Sequence, residues 1–215
     1  MTRELADLPY ARHLVPLAQE LAPEGDYDCV HIDGDTDFDD VHLPHARFTE
    51  SAFTGLVVNG GSMRHTRFVD VWQRGVRWIG TELADTSWQD TEAVDGAMSG
   101  VDLGGATLRR VRFVGCKFDS VNFRSARLRE VTFTECVLRD CDFGGARVHR
   151  TSFPQSEVGG MSLHGAELNN VDFRGAARLD IAEGIEAMRG AIVSPMQLME
   201  LAPALALATG IIVRD

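Results

Sequence analysis

A five-residue period runs without a slip through residues 36–175 of this 215-residue chain and divides them into 28 pentapeptides. All eleven phenylalanines occupy the third position of a pentapeptide, and 26 of the 28 first positions are small or β-branched. An α-helix needs a period of 3.6 residues and a strand a period of 2, so neither explains the pattern. The period predicts a chain that turns a corner every five residues, with the first and third side chains inside.

Several of these pentapeptides, among them ATLRR, CDFGG and VDFRG, closely match the motif A(D/N)LXX. The chain therefore resembles the pentapeptide repeat family over 140 of its 215 residues. The resemblance implies an all-β solenoid, a right-handed quadrilateral β-helix with four pentapeptides in each coil. At twenty residues per coil, the repeats predict about seven coils.

The segments that flank the repeats are predicted to close the two ends of the solenoid. Each coil of a solenoid contacts only its neighbours, so the end coils need caps. We expect an N-terminal cap at 1–35, the β-helix at 36–175 and a C-terminal cap at 176–215. Glu4–Leu21 is predicted to be helical despite its two prolines. Ser194 and Pro195 are typical of a helix start, and Gly210 of a helix end.

The middle of the repeat region departs most from the pattern. Gln73 is a polar third position, and Ala93 leaves another third position under-filled. Trp78 and Trp88 are oversized third positions that can compensate. A local bend or groove and simple repacking are both compatible with these residues.

Composition restricts the kinds of partner. The chain has a net charge of −11 and a pI of about 5.0, which argues against non-specific binding to nucleic acid or to an anionic membrane. No apolar run approaches the length of a membrane span. Four cysteines without a CxxC motif, and an acidic start without signal-peptide features, favour a cytoplasmic protein with reduced thiols.

Motifs of enzymes are missing from the sequence. The chain contains no GxSxG, no phosphate-binding GxxxxGK[ST], no GxGxxG after a strand and no HExxH. A solenoid core filled with side chains also leaves no room for a substrate. We therefore predict that the protein is not an enzyme and that it uses no cofactor.

Residues twenty positions apart are predicted to lie above one another. This spacing brings together one set of possible metal ligands and one pair of thiols. His45, His65 and Asp85 form one column, which is a candidate zinc site or a solvated polar ladder. Cys116 and Cys136 stack as first positions, so that they are either core thiols or a disulfide pair.

Charge is distributed unevenly over the predicted faces. Residues 36–175 hold 19 acidic and 16 basic residues, and one face carries eight arginines and five acids. On that face, Arg109 stacks with Arg129 and Arg127 with Arg147. These arginines either bind an acidic protein surface or a nucleic acid, or form cross-coil ion pairs in solvent. The most acidic face is led by three aspartates: Asp37, Asp39 and Asp40.

Three functional hypotheses follow from these features. The first is a protein-interaction module with an unidentified partner. The second is a DNA-gyrase-binding resistance or immunity protein that mimics DNA, which the family resemblance alone implies. The third is a metal-binding protein that uses the histidine column. The near-neutral rod weighs against mimicry, because duplex DNA carries one charge per ~1.7 Å of its axis.

The C-terminal segment holds more apolar residues than one helix face can bury against the last coil. The surplus would be exposed in a monomer, and an exposed apolar patch of this kind marks an interface. We therefore expect a homodimer through this end, as the resemblance also implies. The candidate contact residues are Met199, Leu205, Leu207 and Ile211.

Overall fold

The computed structural model describes residues 2–18, 20–34 and 38–212. Its strands stack in parallel at a spacing of twenty residues, so that Phe48 pairs with Phe68, for example. Three faces of each coil are β-sheets, and the fourth is a row of single bridges from His42–Ser62 to Asp142–Ser162. The predicted four-faced β-solenoid is therefore confirmed.

The strands of each sheet follow one another along the stack. Sheet A contains Val15–Pro16, Val30–Asp33, Ala52–Thr54, Trp72–Arg74, Glu92–Val94, Arg112–Val114 and Thr132–Thr134. Sheet B contains Asp26–Asp28, Arg47–Thr49, Arg67–Val69, Ser87–Gln89, Thr107–Arg109, Arg127–Arg129, Arg147–His149 and Glu167–Asn169. Sheet C contains Phe38–Asp39, Val57–Asn59, Arg77–Ile79, Ala97–Ser99, Lys117–Asp119, Val137–Arg139, Glu157–Ser162 and Arg178–Glu183.

The solenoid has about eight turns, because sheets B and C each have eight strands. Strands outside the pentapeptides extend it at both ends. At the N-terminal end, Tyr27 pairs with Phe48, which is a spacing of 21 rather than twenty. At the C-terminal end, Val171–Asp172 pairs with Ala191–Ile192.

The corners explain the five-residue period. Every fifth residue from Asp40 to Asn170 has a positive φ, between 46° and 68°. This left-handed conformation turns the chain from one face of the solenoid to the next. It costs an L-residue roughly 1–2 kcal/mol. Glycine therefore recurs at this position. The remaining corners hold polar residues, which range in size from Ser120 to Arg110.

The core is a column of third-position side chains. All of these side chains from Phe38 to Phe173 are buried. Phe118, Phe123 and Phe143 are 1%, 0% and 2% exposed, as the period predicts. On sheet A the rings stack nearly parallel: the centroids of Phe133 and Phe153 are 5.1 Å apart at 3°. Stacked rings of this kind contribute packing energy beyond the buried area.

The irregular middle of the rod is repacked rather than opened. Trp88 packs against Phe68 with centroids 4.5 Å apart, and Trp78 Nε1 donates to Gln73 Oε1 at 3.3 Å. Ala93 and Gly96 leave an internal cavity of only about 10 Å³. That volume is about the size of one water molecule. The large tryptophans therefore compensate for the small neighbours, and no groove enters the core here.

The helix predicted over Glu4–Leu21 is wrong. The segment forms two 3₁₀ turns, Leu5–Asp7 and Ala11–His13, and then the strand Val15–Pro16. Pro9 and Pro16 lack the backbone N–H that a continuous helix requires, which favours short turns.

The C-terminal end follows the prediction more closely. After the 3₁₀ turn Ile185–Met188, an α-helix spans Pro195–Ala208. Ser194 caps it by accepting a hydrogen bond from the Gln197 backbone N–H at 3.2 Å. Gln197 Nε2 donates to the Phe173 carbonyl at 2.8 Å, and Leu201 is buried. The helix thus closes the last coil. No helix of the described residues is long and apolar enough to cross a membrane.

Candidate interaction surfaces

Sheet B brings the predicted arginines together on one face. Arg109 lies beside Arg129, and Arg127 beside Arg147, in adjacent strands. All four side chains point outwards and are exposed. We call the outward side of sheet B the arginine face. The geometry of this face follows from the unbroken period, because second and fourth positions alternate with the buried third position.

Some cations of the arginine face are paired and others are not. Arg129 Nε lies 3.6 Å from Glu130, and Arg147 Nε lies 3.3 Å from Glu167. Arg110 binds Asp90 through two hydrogen bonds, which lower the pKa of the Asp90 carboxyl. Exposed pairs of this kind contribute about 0–1 kcal/mol each. The ion-pair interpretation therefore applies to Arg110, Arg129 and Arg147.

Four cations of the arginine face have no salt bridge to any described residue. They are Arg47, Arg67, Arg109 and Arg127. Arg47 and Arg67 are register partners and line an open groove with His45 and His65. Sequence reasoning did not single out Arg47 and Arg67. The repeat pattern could have identified them, because both are second positions on the same face as Arg127 and Arg147.

The histidine column does not form a cluster of metal ligands. The rings of His45 and His65 stack with centroids 4.7 Å apart and an angle of 17°. Asp85 accepts a hydrogen bond from Arg64 Nη2 at 3.0 Å. Within the described residues, this column therefore lacks the convergent ligand atoms that a zinc site requires.

A different set of side chains has ligand atoms close to one another. Among the described residues, ligand atoms of Asp28, Cys29 and Glu50 lie within 4.8 Å of one another. Cys29 Sγ donates to Glu50 Oε2 at 3.7 Å. Partial burial and the two carboxylates raise the pKa of the Cys29 thiol. A thiol that keeps its proton is a poor metal ligand, so this exposed cluster is a weak candidate.

The remaining cysteines belong to the core. Cys116, Cys136 and Cys141 are buried, and all are free thiols. Burial raises the pKa of the Cys141 thiol to about 12. Thiols of this kind behave as small apolar core residues.

Acidic side chains do not form a continuous stripe. Asp39 is exposed on sheet C, Asp40 occupies the next corner, and Asp37 lies outside the described residues. Along the corner of sheet B, the column begins with Glu50, Asp70 and Asp90. It is then interrupted by cations, since the next members are Arg110, Glu130 and Arg150.

The C-terminal helix has an exposed apolar side opposite the side that closes the last coil. Met199 and Leu207 are 64% and 82% exposed, and Ile211 beyond the helix is 62% exposed. Leu205 was predicted to belong to this surface, but it is partly buried and packs against the core. We call the exposed set the C-terminal apolar stripe: Met196, Met199, Leu207, Ile211 and Ile212.

The sequence of residues 95–163 matches the family profile described as a pentapeptide repeat region. This part of the chain is therefore a pentapeptide repeat region. No curated protein matches its sequence. Solved pentapeptide repeat structures are similar to it at low identity. One is HetL, involved in heterocyst differentiation regulation in the cyanobacterium Nostoc sp. strain PCC 7120, with 15% identity and a TM-score of 0.39. That alignment covers 80% of this chain and 90% of HetL.

Two further structures show the same kind of similarity to this chain. QnrB1, a plasmid-mediated fluoroquinolone resistance protein, is 18% identical with a TM-score of 0.35, over 89% of this chain and 99% of QnrB1. A pentapeptide repeat protein from the thylakoid lumen of Arabidopsis thaliana is 16% identical with a TM-score of 0.23, over 79% of each chain.

Proposed function

We propose that this protein is a non-enzymatic interaction rod whose arginine face binds an acidic surface of a protein partner. The observation that carries the proposal is a set of outward arginines on a single sheet that have no salt bridge to any described residue: Arg47, Arg67, Arg109 and Arg127. Guanidinium groups suit carboxylates because they can donate two parallel hydrogen bonds. The stack holds Arg47 and Arg67 on adjacent strands, about 4.8 Å apart. The strand Ser87–Gln89 separates this pair from Arg109 and Arg127, which lie on the next two strands.

The partner is a protein rather than a nucleic acid. The whole chain carries a net charge of −11, and the long-range field of such a chain repels a polyanion. A local cationic face can still bind an acidic patch of limited size.

We further propose that two copies associate through the C-terminal apolar stripe. Its side chains are large and well exposed, and Leu207 alone is 82% exposed. Burying them between two copies would remove apolar area from water, at about 25 cal/mol per Å². A two-fold dimer would present two arginine faces to one partner, and this would raise the avidity.

A matched pair of variants tests the arginine face. The first removes Arg47, Arg67, Arg109 and Arg127 by substitution to alanine. The control replaces Arg77 and Arg139, the unbridged arginines of sheet C, in the same way. Partners captured from the native cytoplasm are identified by mass spectrometry, and the affinity of the main partner is measured by calorimetry. We expect a loss of at least about tenfold for the first variant only. An equal affinity for both variants would refute the proposal.

A further inference from the structure

Three side chains on the outer side of sheet A are buried although their position in the repeat faces water. Ala52, Trp72 and Glu92 are second positions of successive coils, and they are 0%, 1% and 0% exposed. Arg112, the next member of the column, is exposed. We call Ala52, Trp72 and Glu92 the covered patch. The burial ends at Glu92, so the feature that covers the patch is local.

The cover is the N-terminal segment, residues 2–14. Leu8 and Tyr10 are 4% and 6% exposed and pack against Ala52 and Trp72. Tyr10 Oη donates to the Ser51 carbonyl at 3.4 Å. At the far end, Arg3 Nε donates to Glu92 Oε2 at 2.5 Å. The segment thus crosses three coils before the strand Val15–Pro16 joins the edge of sheet A.

Side chains, rather than strand pairing, hold this segment on the sheet. The backbone hydrogen bonds of residues 4–14 are local ones within the 3₁₀ turns, such as Ala11 N–H to the Leu8 carbonyl. Its contacts with the rod are therefore those of a bound peptide: the cation Arg3, the acidic Glu4, and apolar side chains of which Leu8 and Tyr10 are the most buried. Contacts of this type can be made equally well by a segment of another chain.

Charge restricts which segment the patch accepts. The Glu92 carboxylate lies between Arg3 and Arg112, and Arg112 Nη2 donates to it at 3.0 Å. Burial of a carboxylate without adequate pairing is costly, so any replacement for Arg3 must bring a cation. Beside it, Arg74 binds Glu4. An acidic residue next to the cation would therefore also fit.

The fit of the native segment is incomplete. Trp72 Nε1 is buried, and no described residue accepts a hydrogen bond from it. A buried N–H without an acceptor is a net loss relative to water. A segment that places a carbonyl or hydroxyl oxygen there would gain a hydrogen bond that residues 2–14 do not provide.

We infer that the covered patch is a docking site for a segment of a protein partner, and that the N-terminal segment occupies it in the free protein. The docking segment carries a basic side chain, then an aliphatic and an aromatic side chain, and an acceptor for Trp72 Nε1. The same segment from a second copy would leave Trp72 Nε1 unpaired, so a copy has no advantage over the resident segment. This site lies on sheet A and does not depend on the arginine face.

The first experiment compares two full-length variants. The open variant combines Arg3→Glu with Leu8→Ser, which removes the cation and an apolar contact. The control combines Arg12→Glu with Val15→Ser, since both of these side chains are exposed in the same region. Trp72 is the one tryptophan on the outer side of the solenoid, because Trp78 and Trp88 are third positions inside it. We expect acrylamide to quench Trp72 in the open variant only. Protection in both variants would contradict the inference.

The second experiment uses a labelled peptide with the sequence of residues 2–14 as the probe. In the wild type, the resident segment competes at a high effective concentration. We expect the open variant to bind the peptide at least about tenfold more tightly, and the Arg3→Glu peptide to lose binding. A scan of Asn, Gln and Ser along the peptide should yield at least one tighter binder. A scan without any improvement would refute displacement by a partner.

A measurement on the wild type keeps the test valid if the open variant misfolds. With the tightest peptide in excess, the backbone amides of residues 4–14 should lose protection from hydrogen exchange, while those of the core strands keep it. Unchanged protection would overturn the inference. Dimers that disappear with Arg3→Glu would also overturn it, because the occupant would then be a second copy.

Discussion

A single third-position ring carries a large share of the stability of its coil. Phe123 is 0% exposed, and its ring stacks on Phe143 with centroids 4.6 Å apart. Replacement by alanine would leave a cavity that the stiff coils cannot close. We expect Phe123→Ala to lower the free energy of unfolding by roughly 3–5 kcal/mol in urea melts. Leu207→Ala is the control, because that side chain is exposed, and a similar loss there would contradict the explanation.

The corner carboxylates make stability depend on pH. Partial burial and then the neighbouring Asp90 raise the pKa of Asp70 above its ordinary value of 3.8. The ionised form is therefore disfavoured in the folded state. Its cost is fully present above the folded pKa and disappears as the pH falls below the ordinary value. We expect Asp70→Asn to stabilise the protein by at most about 1 kcal/mol at pH 7 and by nothing near pH 3.

Thermal melts across this pH range check the prediction for Asp70. The control is Asp119→Asn, an exposed carboxylate on sheet C. The stabilising effect of Asp70→Asn must shrink as the medium becomes more acidic. An effect that grows with acidity would mean that Asp70 is stabilised in its ionised form.

At the scale of elements, the coils could be predicted from the sequence and the N-terminal segment could not. Each coil repeats the same pattern, with a buried third position such as Phe123 or Phe143 and a left-handed corner after each face. The many repeats make the pattern easy to recognise in the sequence. The contact of Arg3 with Glu92 spans 89 residues and occurs once. A visible hint was Trp72, a large apolar side chain at an outward position.

The interaction surfaces could also be predicted only in part: the position of each column follows from the sequence, but the pairing of its side chains does not. The column of Arg127 and Arg147 followed from the twenty-residue spacing. Which arginines are paired depends on side-chain contacts that a periodic pattern does not encode. Asp85 illustrates this, because it accepts a hydrogen bond from Arg64 of the neighbouring coil. The burial of Leu205 likewise depends on how the last helix docks.

Gly61, which directly follows the corner at Gly60, lies too close to the neighbouring coil for a larger residue. Gly61 has φ 73°, and a Cβ there would overlap the backbone carbonyl oxygen of Val41. Gly80 also has a positive φ, but a Cβ there would meet nothing within 4 Å. We expect Gly80→Ala to cost roughly 1–2 kcal/mol from its backbone conformation alone, and Gly61→Ala to cost clearly more. Chemical denaturation measures both, and equal losses would contradict the close approach of the two coils.

At the scale of the whole molecule, the C-terminal apolar stripe should determine the oligomeric state. We expect the wild type to be a dimer and Met199→Glu with Leu207→Glu to be a monomer, since the charges would be buried in the interface. Light scattering on purified protein measures both masses. Ile79→Glu is the control, because this side chain is 39% exposed on sheet C. A wild type of monomer mass at working concentration would contradict the proposed dimer.

The charge of the whole rod decides between partners. A mimic of DNA must present carboxylates to the basic DNA-binding surface of gyrase, and its affinity should then fall steeply with salt. Residues 36–175 have a net charge of only −3, and the arginine face would repel such a surface.

We therefore expect this protein to inhibit DNA supercoiling by the host gyrase weakly or not at all at physiological salt. A supercoiling assay over a salt series measures the inhibition. Potent, salt-sensitive inhibition that disappears when Asp37, Asp39 and Asp40 are all replaced by asparagine would make gyrase the leading partner. Inhibition lost instead with Arg109→Ala and Arg129→Ala would indicate contact with the enzyme through the arginine face, without mimicry of DNA.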